Sequence, residues 1–164
     1  MAVEMQVMGD RDGAYRLVHV LSDVVELKLR RGEYGMRGNP AGCRWFGAVR
    51  PRASTSTGVA VRSAALVAGL PVRAASGESV RLRLGGEEPE LVAVLSASAA
   101  LYVLRFPPED HPRDGAFGRD VYLHTFTGHL PPVPAGWAPV FEPGGRGGVP
   151  GSEVERAAPR RGRR

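Results

Sequence analysis

The sixteen residues from Leu91 to Phe106, LVAVLSASAALYVLRF, are the most apolar stretch of the chain, and they limit what the rest can become. A run of this kind must be buried, and periodicity alone does not decide in what form. Read as strands, it breaks at Ser96 to Ala99 into Glu90 to Leu95 and Ala100 to Phe106, with Val92, Val94, Tyr102, Val103 and Phe106 suited to a pleated surface. Read as a helix, it aligns Leu91, Leu95, Ala99, Tyr102 and Phe106, and its alanines and leucines are good helix formers. The strand reading is preferred. Its flanks are turn-like, and the preceding segment alternates Val80, Leu82 and Leu84 with Arg81 and Arg83. A strand apolar on both faces needs cover on both, from a sandwich, a barrel or a second chain. A membrane span fails on length, since a bilayer requires ~20 apolar residues.

The 164 residues suffice for one domain with an appendage, and an apolar fraction of 43% matches an ordinary globular protein. Twenty-one arginines stand against one lysine, Lys28, with no isoleucine, one asparagine and one glutamine. A GC-rich coding sequence accounts for that skew, so arginine abundance is not by itself an argument for nucleic acid. The net charge of +5 resides in Arg156, Arg160, Arg161, Arg163 and Arg164, and the remaining 17 basic and 17 acidic side chains balance. Cys43 stands alone, which excludes a disulfide framework and a multi-cysteine zinc site. The N-terminal residues carry acids where a signal peptide needs bases, so the expectation is a soluble intracellular protein without a membrane segment.

Strands are expected over Ala2 to Met8, Tyr15 to Leu21, Val24 to Arg31, Cys43 to Val49, Ser79 to Leu84 and Asp120 to Thr127. Val25, Leu27 and Leu29 alternate most cleanly with Glu26, Lys28 and Arg30. Val59 to Ala68 could start as a strand and finish as a helical turn. Arg31 to Gly42 and the segment after Phe106 read as loops. The whole is expected to be mainly β: an antiparallel barrel or sandwich of about seven or eight strands over residues 1–130, with at most one short helix. From Pro131 to Arg164 the chain holds seven of its 14 prolines and seven of its 22 glycines, and disorder is expected past Glu142. Trp137, Val140 and Phe141 could pin the start of this tail to the domain.

Several residues could carry chemistry. Tyr34, Arg37 and Asn39 lie in a glycine-rich loop that lacks the Gly-Lys-Ser/Thr ending of a phosphate loop, yet could line a binding surface. Asp110, His111, Asp114, Asp120, His124 and His129 are the types a divalent metal or an acid–base pair uses. Of these, Asp110, His111, His124 and His129 are the metal candidates, and His111 and His124 the catalytic ones. Their spacing fits no compact ligand motif. Cys43 is a candidate nucleophile only if a histidine approaches it, and otherwise a small buried hydrophobe. No cofactor is implied. The tail arginines, preceded by Gly144-Gly145-Arg146-Gly147-Gly148, suit a phosphate backbone without reading sequence. Tyr102, Phe106, Tyr122 and Phe126 could form a stacking platform, although cores claim such residues more often.

The function expected from these features is non-enzymatic binding or assembly with a protein partner or a second copy, aided by the basic tail. The alternatives are a small enzyme using the cluster at 110–129 and non-specific nucleic-acid binding through the tail.

Overall fold

The computed structural model describes residues 2–30, 34–36, 38–52, 61–74, 77–113 and 118–142. Among them, seven strands form one antiparallel sheet: β1 (Val3–Asp10), β2 (Val25–Leu29), β3 (Tyr34–Met36), β4 (Asn39–Pro51), β5 (Ser79–Gly86), β6 (Glu109–Pro112) and β7 (Arg119–Phe126). Their order is β2-β4-β1-β5-β7-β6, with β3 paired to β4. Three helices are described, α1 (Arg11–Val24), α2 (Ser63–Ala68) and α3 (Glu88–Ser98). Each lies in a connection between two parallel strands that flank a third. Helix α1 joins β1 to β2 around β4, α2 joins β4 to β5 around β1, and α3 joins β5 to β6 around β7. Three interleaved crossovers thus build a sheet whose neighbours all run antiparallel.

The mainly β character and the strand number agree with the sequence. Closure does not: the sheet is open, and among the described residues its second layer is made of helices rather than a second sheet. The expectation of at most one short helix fails at two places, for separate reasons.

The first is Tyr15 to Leu21, expected as a strand and found within α1. Ala14, Leu17, Val18 and Leu21 are buried at helical spacing, which puts them on one stripe facing the sheet. Asp10 caps the helix, its Oδ2 accepting from the Gly13 N–H at 3.1 Å. Gly13 permits the close approach, since a Cβ there would stand 2.9 Å from Thr127 Oγ1 and 3.0 Å from a Val80 methyl. The polar Gly9 to Gly13 stretch, which reads as a turn, is therefore a strand end and a helix start.

The second is Leu91 to Phe106. Its first half is helix α3, followed by a 3-10 turn over Ala99–Leu101, and only Tyr102 onward is extended. Pro89 in the first turn and Glu88 and Glu90 beside it are helix-starting signals, because proline lacks a donor the first turn cannot use and carboxylates favour the positive helix end. Leu91, Val94, Leu95 and Ser98 face inward. Helix α2 packs on α3, and the Glu88 carboxylate accepts from both the N–H and the hydroxyl of Ser63 at the start of α2. The apolar excess that suggested a second subunit is covered from within the chain, by the sheet on one side and α2 on another.

Beyond the turn, Leu104 bridges Thr125 of β7 and Val72, so this segment borders the second half of β7 while β6 borders the first. The stretch after Phe106, read as a loop, contributes β6, and the loop from Arg31 to Gly42 contributes β3 and the start of β4. At the other edge Phe141 bridges Leu29, and Trp137 packs edge-on against Tyr15 and His19. Val140 is 83% exposed and takes no part in this anchor. The expectation of disorder past Glu142 falls outside the described residues.

Tyr102 offers a direct probe of this packing. Its hydroxyl donates to Ser98 Oγ at 2.9 Å, and Ser98 in turn donates to the Val94 carbonyl. Burial pushes the phenol up to about 12, against a smaller opposing pull from the Ser98 hydrogen bond. The folded protein therefore keeps a proton that the unfolded chain releases above its ordinary value near 10, and this stability is lost as pH rises through 12. Two units correspond to about 2–3 kcal/mol. Tyr102→Phe is expected to cost about 1 kcal/mol at pH 8, yet to lose much less than the parent between pH 10 and pH 12. Urea midpoints at pH 8 and 11.5 measure this, and parallel alkaline losses in both proteins would speak against a buried phenol.

Candidate functional site

The helices occupy one face of the sheet, and strand alternation dictates what the other carries. Val7 stands opposite Trp45 and Leu82, all fully buried beneath the helices. The residues between them point the other way and fall into three rows across the strands.

The first row runs Lys28, Ala48, Glu4, Gly85, Asp120, His111 from β2 to β6. It is ion-paired. Asp120 accepts from Arg83 at 3.0 Å and from Arg113 at 3.1 Å, and Arg113 reaches Glu4 at 2.8 Å. Gly85 makes room, since a Cβ there would overlap the Arg113 guanidinium and the Asp120 carboxylate.

The second row is Phe46, Gln6, Arg83, Tyr122, Glu109, and the third is Arg44, Met8, Arg81, His124. Arg105 extends the third, its N–H donating to the His124 carbonyl. Three arginines here lie over aromatic rings: Arg81 over Tyr122 at 4.8 Å, Arg105 over Phe106 at 5.4 Å and Arg44 over Phe46 at 5.7 Å. These are within the range of cation–π attraction. Among the described residues, none of Arg44, Arg81 and Arg105 is paired with a carboxylate. Gln6, Met8, Arg81, Arg83 and Tyr122 line an open pocket at the centre.

His124 reports the field of this surface. Burial lowers its pKa first, with Arg81 and Arg105 adding to the effect and Glu109 opposing it, so the imidazole is neutral at neutral pH. Its ring meets Phe106 edge-on at 5.4 Å, and Phe106 is itself half exposed.

The residues singled out in the sequence are dispersed. His111 and His124 share the open face but lie two rows apart, about 13 Å along the strand. Asp110 is engaged by Arg119 at 2.6 Å, His111 pairs with Glu109 at 3.4 Å, and His129 donates to the Leu101 carbonyl at 3.0 Å. Among the described residues no group of three histidines, cysteines or carboxylates could hold a metal ion. Cys43 is buried on the helix side of β4, away from the open face. His19, expected in a strand, sits in α1. Asn39 opens β4 with its side chain accepting from the Ala41 N–H, and Tyr34 stands opposite Arg44 in register. Arg37, Asp114 and the five tail arginines lie outside the described residues. Of the four aromatics considered for stacking, Tyr102 and Phe126 are buried, while Phe106 and Tyr122 belong to the open face.

Sequence reasoning missed Arg44, Phe46, Arg81, Arg83 and Arg105 as a group. The signal was present as the polar phase of the alternation, Arg81 and Arg83 between Val80, Leu82 and Leu84, but its meaning depends on which strands adjoin. Among the described residues no helix is long and apolar enough to cross a membrane. In comparisons with family models, with curated proteins and with solved structures, no match to this chain is found.

Proposed function

We propose that the protein is a non-enzymatic binding module whose contact surface is the face of the sheet opposite the described helices. The observation that carries this reading is the set of arginines over rings in the second and third rows, without carboxylate partners among the described residues. An antiparallel sheet can leave one face to solvent, and that face is usually polar at little cost. Here it combines planar rings, guanidinium groups and a methionine, side chains that contact surfaces favour over lysine and glutamate. The tail arginines Arg156, Arg160, Arg161, Arg163 and Arg164 add a second, electrostatic contact.

The test is a map of where ligands sit on the full chain. Backbone amide shifts are followed during titration with three probes: a twelve-residue oligothymidine, a poly-glutamate peptide and anionic lipid vesicles. For any probe that binds, the shifts are expected to cluster at Met8, Arg44, Arg81, Tyr122, His124 and Arg105. Shifts confined to α1, α2 and α3, or no binding by any probe, would overturn the reading.

A further inference from the structure

We infer that the occupant of the open face is a single-stranded nucleic acid, a step that rests on the sheet-face reading above and names its ligand class. The third row presents Arg44, Arg81 and Arg105 across the sheet, with neutral His124 and Met8 between them. The acids of the first row are engaged, Glu4 by Arg113 and Asp120 by Arg83 and Arg113, and in the second row Glu109 pairs with His111 at 3.4 Å. Among the described residues, the three arginines of the third row thus have no carboxylate partner and are open to an outside anion.

Charge alone would accept any polyanion, and the rings narrow the choice. Phe46, Tyr122 and Phe106 each hold a guanidinium at 4.8–5.7 Å, so each arginine of the row comes with a planar partner. Unstacked bases pack on aromatic rings and on guanidinium planes, while their phosphates need cations. A poly-acidic peptide would satisfy the arginines but offer the rings no planar group to stack on. A duplex hides its base faces and is read by elements that enter a groove, and an open sheet face has no such projection. From β4 to the Arg105 segment the row crosses four strand spacings, about 19 Å, comparable to the open sheets on which two or three bases stack.

The experiment is fluorescence anisotropy of a labelled twelve-residue oligothymidine with the full chain, at several salt concentrations. Three variants are compared, each checked for unchanged thermal unfolding. Tyr122→Leu removes the ring but keeps apolar cover, Arg81→Lys keeps the charge but removes the plane, and Arg62→Ala removes a cation from the helix layer. Oligothymidine binding is expected to weaken about tenfold or more for the first two and to be unchanged for the third. A duplex of equal length is expected to bind the full chain more weakly. Arg81→Lys binding as tightly as the parent would overturn the stacking role and with it the inference. If poly-glutamate rather than oligothymidine binds and its shifts map to the open face, the inference fails while the sheet-face reading stands. If oligothymidine binding survives both face substitutions and is lost only from a chain ending at Glu155, both fail.

Discussion

Replacing Trp45 with alanine is expected to lower the unfolding free energy by about 3–5 kcal/mol, a large share of the roughly 5–15 kcal/mol typical of a domain. Trp45 is fully buried in the middle of β4, opposite Val7, and Tyr15 of α1 meets its ring edge-on at 5.0 Å. Tyr15 also touches Trp137, so one indole supports the sheet, the helix above it and the start of the C-terminal segment. The indole N–H has no hydrogen-bond partner among the described residues, so the loss is of packing rather than of a polar contact. Denaturant unfolding measures it, with Trp137 remaining as the sole tryptophan reporter. A change below about 1 kcal/mol, within the range of ordinary surface substitutions, would mean that α1 does not pack over β4 as described.

Leu95→Ala is expected to cost about 2–5 kcal/mol, while Ala97→Glu should stay within about 0.5 kcal/mol of the parent. The pair decides between α3 and a strand continued through Ser96 to Ala99. In a strand, residues two apart share a face, so Leu95 and Ala97 would be buried or exposed together. In a helix they are 200° apart, since each residue turns the chain by about 100°. Leu95 is 1% exposed and Ala97 is open to solvent. Comparable destabilisation by both substitutions would favour a strand and contradict α3.

The error over this run has a physical origin. Leu91 to Ser98 is apolar nearly all round, and a helix covered by a sheet on one side and α2 on another has no polar stripe to give it a helical period. A strand buried on both faces lacks its own period for the same reason. Local signals were still available in Glu88, Pro89 and Glu90, which mark a helix start more strongly than they mark a turn. At Tyr15 to Leu21 the spacing of Ala14, Leu17, Val18 and Leu21 was helical, and Asp10 ahead of it is a preferred cap.

The site was legible only in pieces. Tyr122 and Phe106 were visible as exposable rings, and Arg81 and Arg83 as the polar phase of a strand. The histidine and aspartate cluster drew attention because its members are close in sequence, yet β6 and β7 place His111 and His124 in different rows and turn Asp110 to Arg119.

By itself the sequence determined the phase of β2 and β5, because period-two alternation is local and settles which residues face a core. It also determined that the run from Leu91 supplies core residues, Leu91, Leu95 and Leu104 among them, and that the net positive charge resides in the last nine residues. Only the tertiary structure decided that Arg44, Arg81, His124 and Arg105 stand side by side, since strand pairing joins residues tens of positions apart and no local pattern encodes its order. It also decided that the described helices all take one face of the sheet. Alternation specifies two faces, and only packing chooses what covers each.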